Sequence, residues 1–121
     1  MAMRVVAYMR VATAAQDTEM VFKQQYESIK KYCEEQGYKI IRRERFIGGG
    51  KDANRNLRKL MRKVKRSKGN LIVATRWDRF TRDIPFFFKM QKKMAKRNIS
   101  METSAELCNV MSVSQLARCF I

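Results

Sequence analysis

Histidine is absent from this chain of 121 residues, which removes the commonest general base and the usual nitrogen ligand for a metal in one step. Any chemistry has to run on arginine, lysine, carboxylates, tyrosine or a hydroxyl. Cysteine is scarce. Cys33, Cys108 and Cys119 are odd in number and form no Cys-x-x-Cys pair, so they read as reduced packing residues and not as a disulfide framework or zinc site. No metal or cofactor is indicated. No apolar run approaches a membrane span, and Met1 to Val6 lacks the apolar stretch of a signal peptide, so a cytoplasmic protein without a membrane segment is expected. Negative charge is the other shortage. Against 27 basic residues stand 11 acidic ones, a net charge of +16, far beyond what solubility asks. A polyanionic partner follows, with nucleic acid the first candidate and an anionic membrane surface the second.

What is present is 45% apolar residues in a length suited to one core. Arg4 to Met9 reads as a buried strand with Arg10 at its carboxyl end. From about Thr18 to Gln36, Phe22, Tyr26, Ile29 and Cys33 recur at helical intervals, and Gly37 ends the helix. Tyr38 to Arg42 predicts a second strand, and Gly48-Gly49-Gly50-Lys51 a loop. Leu57, Leu60, Met61 and Val64 keep a helix period within Asn54 to Ser67, the remainder being filled largely by Arg and Lys. Such a face either repels itself in solution or lies against phosphates. Lys68-Gly69-Asn70 turns into a third strand, Leu71 to Thr75. Ile84 to Arg97 predicts a helix with Pro85 in its first turn and Phe87, Phe88, Gln91, Met94 and Ala95 on one side. Phe86-Phe87-Phe88 reads as core, not as a base-stacking platform. Ile99 to Thr103 predicts a fourth strand. Alternating strands and helices imply an α/β fold: a mostly parallel central sheet of about four or five strands with helices on both faces. Residues 1–111 form the expected domain, and 112–121 the start of a truncated oligomerisation helix.

Where the third strand leaves the sheet, Asp78, Arg79 and Arg82 follow at once. Ligands bind outside the carboxyl ends of strands in open α/β sheets, so charge concentrated there marks a candidate site. The spacing of Arg79 and Arg82 suits one face of a helical turn, where two guanidiniums would form a phosphate clamp and Asp78 could orient one of them. The alternative is a solvated cluster closing a strand. If Arg10 converges with these residues, three arginines surround one point, an arrangement suited to a phosphoryl transition state.

Tyr8-Met9-Arg10-Val11-Ala12-Thr13-Ala14-Ala15-Gln16 and Asp78-Arg79-Phe80-Thr81-Arg82 resemble the serine recombinases, the resolvase and invertase group, whose catalytic domain carries Tyr-x-Arg-Val-Ser-Thr-x-x-Gln and Asp-Arg-Leu-x-Arg. Gln25, Ile29, Tyr32, Gly37 and Tyr38 are similar to the pattern of the larger members. The resemblance runs from about Val5 to Ile99. It implies a resolvase-like fold, double-stranded DNA as partner, dimers that form tetramers on DNA, and attack by a serine hydroxyl on a DNA phosphate without metal or ATP. It further implies that Arg10, Arg79 and Arg82 bind the scissile phosphate, that Asp78 orients or helps to activate, and that Gln16 and Gln25 support the site.

Three positions depart from the pattern. Ala12 stands where the nucleophile is expected, and Thr13 is its neighbour, not its replacement, because successive side chains of an extended chain point apart. The acidic residue expected after the second strand has only Glu44 and Asp52 as distant substitutes. A further arginine, preceding an Arg-Pro-x-Leu helix start, is approximated by Arg55 with one residue too few before Leu57. The expectation is therefore a site-specific recombinase domain inactive in strand cleavage, or else an inactive homologue that binds DNA or assembles with other subunits. A third expectation is an unrelated basic α/β protein that binds nucleotides or RNA; nucleotides fit less well, since Gly48-Gly49-Gly50 has no Lys-Ser/Thr sequel.

Overall fold

The computed structural model describes residues 3–13, 18–49 and 51–104. Gln16, Cys108, Cys119 and the helix expected from residue 112 lie outside them. Four strands, β1 (Arg4–Val11), β2 (Lys39–Ile47), β3 (Leu71–Ala74) and β4 (Ser100–Thr103), form one sheet in the order β2-β1-β3-β4. Every pairing is parallel.

The two central strands explain the layers. Val5 to Met9 of β1 and all of β3 are buried, as strands covered on both faces must be. Alternation sends Val5, Ala7, Met9 and Val11 toward the helix α1 (Thr18–Gln36), where Phe22, Ile29 and Cys33 meet them. Val6 and Tyr8 point the other way, into a core built by α2 (Lys51–Ser67), α3 (Trp77–Phe80) and α4 (Ile84–Ala95).

Several boundaries differ from the sequence reading. β2 runs to Ile47 because β1 supplies a partner along its whole length, Arg4 opposite Lys39 to Val11 opposite Ile47. As an edge strand it tolerates the exposed Arg42, Arg43 and Arg45. α2 starts at Lys51 instead of Asn54, since Ala53 is already in the core. In α1 the buried position is Gln25, with Tyr26 half-buried beside it. In α4 the buried face is Phe87, Met90 and Met94, whereas Gln91 and Ala95 are exposed. Met90, one residue before Gln91, holds the apolar position instead. Asp83 caps this helix, its carboxylate accepting from the Phe86 N–H at 3.1 Å.

The helical turn expected over Arg79 and Arg82 lies earlier, as the one-turn α3. Its Trp77 and Phe80 are buried, and Phe80 stacks on Tyr8 with ring centroids 5.5 Å apart. Aromatic anchoring on the sheet thus holds the short segment that carries Asp78 and Arg79.

Candidate active site at the carboxyl ends of β1 and β3

From β1 the chain goes to one side of the sheet for β2 and to the other for β3, so its direction of winding reverses between β1 and β3. That crevice is where open α/β sheets bind ligands. Arg10 occupies it. Only 6% exposed, its guanidinium donates from Nε to the Arg79 carbonyl at 2.7 Å, from Nη2 to the Asp78 carbonyl at 2.8 Å and from Nη1 to the Gly48 carbonyl at 2.7 Å. A fork of five N–H groups still leaves one on each Nη for a ligand. Burial pulls the Arg10 pKa below its ordinary value; Tyr8 opposes this, Arg79 and Arg82 add to it, and Asp78 opposes it.

Gln25 supports Arg10 from α1. Pairing of β1 with β3 ends at Ala7 and Val73, and beyond it the Arg10 main chain meets a side chain instead. Its N–H donates to Gln25 Oε1 at 3.2 Å and its carbonyl accepts from Gln25 Nε2 at 3.0 Å. The amide of Gln25 takes the place of a neighbouring strand, which is why a polar residue is buried at this point.

Asp78 lies between two guanidiniums, with Arg76 Nε at 3.6 Å and Arg82 Nη2 at 3.6 Å. Both distances exceed a good hydrogen bond, and the buried Oδ1 of Asp78 accepts none. Arg79 sends Nη1 to the Arg10 carbonyl at 3.4 Å while its buried Nε has no acceptor. The Arg82 side chain is 79% exposed. Because α3 ends at Phe80 and Thr81 is extended, with φ −174°, Arg82 leaves the helical turn; the clamp expected from a three-residue helical spacing is replaced by one built across a bend.

These residues enclose a pocket of about 630 Å³ whose wall also includes Ala12, Gly49, Ala53 and Asn54. Ala12 is exposed at its mouth. Gly48, at φ +142°, has no space for a side chain, since an added Cβ would lie 2.7 Å from the Cβ of Asp52. Behind Arg82, the Thr81 hydroxyl donates to Asn54 Oδ1 at 2.5 Å and accepts from the Asp83 N–H at 3.1 Å, while Asn54 Nδ2 donates to Asp83 at 3.2 Å. This network ties the start of α2 to the bend.

Of the residues singled out from sequence, Arg10, Ala12, Asp78, Arg79 and Arg82 line the pocket together, and Gln25 braces it. Arg55 does not join them. It is 66% exposed and faces Asp52 at 3.7 Å. Asn54 lines the wall instead, and the signal was available, because counting Arg-Pro-x-Leu back from Leu57 leads to residue 54. Glu44 is also elsewhere, held by Lys63 at 2.9 Å and by Arg42 on the α2 side of β2. Burial raises its pKa, but hydrogen bonds from Lys63 and Arg42 outweigh this and leave it below the usual carboxylate value. Thr81 and Asp83 were missed, since their part depends on a contact with Asn54 that sequence spacing does not show. Among the described residues no cluster of His, Cys, Asp or Glu could hold a metal, and no helix is long and apolar enough to cross a membrane.

Residues 5–116 match the family model described as Resolvase, N terminal domain. The chain belongs to the resolvase family. Its fold is that of serine recombinase catalytic domains. A resolvase family site-specific recombinase from Streptococcus pneumoniae superposes with TM-score 0.73 at 16% identity, covering 96% of this chain and 86% of that one. The N-terminal catalytic domain of TP901-1 integrase gives 0.71 at 18%, covering 97% and 87%. The C-terminal catalytic domain of ISC1926 TnpA, an IS607-like serine recombinase, gives 0.68 at 19%, covering 93% and 74%. No curated protein matches the chain. The four parallel strands accord with the resolvase-like α/β fold expected from the sequence.

Proposed function

We propose that this resolvase-family domain holds a phosphodiester of double-stranded DNA in the arginine pocket and, in its present sequence, does not cleave it. Arg10 and Arg79 are the fixed donors, Arg82 is the mobile one that closes on the phosphate, and Asp78 steers Arg82. Family chemistry transfers a phosphoryl group from the DNA 3′-oxygen to a serine hydroxyl, which conserves the energy of the bond in a phosphoserine link. The carrying observation is the methyl group of Ala12 in the pocket wall beside Arg10. It has no oxygen to attack phosphorus and no proton to give up. DNA engagement in an oligomer and a cytoplasmic setting belong to the same reading.

A second reading, an inactive homologue that assembles with active subunits, is favoured by Asn54. The pocket lacks both the nucleophile and, at residue 54, the further cation that the family resemblance implies. The two are separated by mixing native chain, Ala12→Ser and Ala12→Ser/Asn54→Arg with duplex DNA and trapping protein–DNA links in SDS. Native chain is expected to bind without forming a link. An adduct with Ala12→Ser marks an otherwise competent site, whereas an adduct requiring both changes marks one that lost more than its serine. An SDS-stable link formed by the native chain overturns the proposal.

A further inference from the structure

The two helical layers differ sharply in charge. α1 carries four acidic and three basic residues. On the opposite face of the sheet, α2 carries eight basic residues and one acidic, and α4 three basic and no acidic. Arg58, Lys59, Arg62, Lys65 and Arg66 are all exposed on α2, and no acidic partner faces any of them among the described residues. Arg58, Arg62 and Arg66 stand four apart, the spacing at which like charges on a helix repel. Lys89, Lys92 and Lys93 of α4 and Lys96 just after it are likewise exposed. The two rows abut, for the Arg58 guanidinium sits 4.9 Å from the Phe86 ring centre.

The direction of this charge matters as much as its amount. α2 leaves the rim of the arginine pocket at Ala53 and Asn54 and runs to the opposite end of the sheet, where β1, β3 and β4 begin. There Lys65 joins Arg4, Lys68 and Arg97 around a further pocket of about 540 Å³. At about 1.5 Å per residue the helix covers about 25 Å, roughly seven phosphate spacings along one strand of duplex DNA.

We propose that the outer face of α2 and α4 is a second DNA-binding surface, which follows the phosphates of a duplex away from the pocket through charge alone. Naming DNA as the polyanion rests on the pocket reading above. Binding to a single strand is disfavoured because that mode needs exposed aromatic rings for stacking, whereas Phe86 and Phe88 are half-buried. Insertion into a membrane needs apolar side chains on the same face. Among the described residues, the exposed large apolar ones, Met20 and Ile47, lie on α1 and at the end of β2.

The test measures affinity for a duplex of about 25–30 bp, which at about 3.4 Å per base pair is long enough to span both the pocket and the α2 face, against salt, using the full chain. Lys59→Gln/Arg62→Gln/Lys65→Gln/Arg66→Gln is compared with the control Lys23→Gln/Lys30→Gln/Lys31→Gln/Lys39→Gln, which removes the same charge from exposed positions on α1 and β2. The α2 variant is expected to lower the slope of log K against log salt by about 2–4 and the affinity by about tenfold or more, the control by far less. Equal losses in the two sets, or an unchanged slope in the α2 variant, overturn the proposal. Arg79→Gln/Arg82→Gln keeps the two readings apart. If that pocket variant loses binding while the α2 variant binds as the native chain does, the surface proposal falls and the pocket reading stands. If only the α2 variant weakens, the pocket reading falls and the surface stands. Loss of binding to phosphatidylserine vesicles by an α2 variant that keeps full DNA affinity also overturns it, in favour of a membrane.

Discussion

Two charged clusters in this domain have opposite characters. In the arginine pocket, Asp78 Oδ1 and Arg79 Nε are buried with no hydrogen-bond partner, and Arg10 spends three of its five N–H groups on carbonyls. On β4, Glu102 accepts from the Tyr32 hydroxyl at 2.5 Å and from the Tyr38 hydroxyl at 3.2 Å on each oxygen. The second cluster is internally satisfied and fastens α1 and the start of β2 to the edge strand. The first keeps capacity in reserve. Buried polar groups left without partners are costly, which accords with the proposed phosphate in the pocket, whereas the satisfied cluster is a tie within the fold.

The sharpest way to break this contrast is Arg10→Ala, because Arg10 serves both purposes. It removes three charge-assisted hydrogen bonds and strands the carbonyls of Gly48, Asp78 and Arg79, so urea denaturation should show a loss of about 3 kcal/mol or more, together with loss of DNA binding. Arg10→Lys should recover little, since one ammonium cannot reach three carbonyls held for a planar fork.

Glu102→Ala should cost about 1–2 kcal/mol by leaving two tyrosine hydroxyls without their acceptor, with DNA affinity unchanged. Alkaline pH probes the same tie. Burial, reinforced by Glu102, pushes Tyr32 and Tyr38 above the ordinary tyrosine value of 10.0, and burial with Glu102 lifts Cys33 from 9.0 to about 11. In each case the folded state keeps its proton longer than the unfolded one. Stability is therefore complete below the unfolded values, and falls as pH rises from about 9 for the thiol and about 10 for the phenols. A pH series of denaturation midpoints should show this decline, and Tyr32→Phe should flatten it. Decline beginning near neutrality would contradict the assignment.

Arg82→Gln should do the reverse of Glu102→Ala. Its side chain is exposed and its pair with Asp78 is long, so stability should change by less than about 0.5 kcal/mol. Affinity for duplex DNA at low salt should fall about tenfold, equivalent to about 1.4 kcal/mol. Smallest of all in stability is Ala12→Ser, at an exposed position, expected within about 0.5 kcal/mol of the native chain by thermal melting.

Much of the fold was legible because burial leaves a plain trace in strands covered on both faces, and Val5 to Met9 and Leu71 to Ala74 could hardly be anything else. α1 was legible for the same reason, from Phe22, Ile29 and Cys33. Less legible was β2, whose outer half is Arg42-Arg43-Glu44-Arg45; an edge strand is held by its neighbour's main chain and asks little of its own side chains. The turn at α3 was legible but its bounds were not, because a single turn has no periodicity to fix where it starts and stops. In the site, Arg10, Asp78, Arg79 and Arg82 could be nominated from charge beside strand ends, and position 54 by counting back from Leu57, but Thr81 and Asp83 could not, since their part comes from contacts with Asn54 that spacing does not show.

By itself, then, the order of residues determined the parallel α/β layering, the excess of positive charge and the presence of a methyl group at position 12, all of which are local chemistry or local pattern. Tertiary structure alone decided that Arg10 meets Arg79 across 69 residues of chain, that Asn54 and not Arg55 faces the pocket, and that one helical layer is strongly basic while the other is nearly neutral. Those outcomes depend on how strand ends and helix faces are brought together in space. Hydrogen bonds and charges act over a few ångströms, and separation along the chain does not reveal which groups come within that reach.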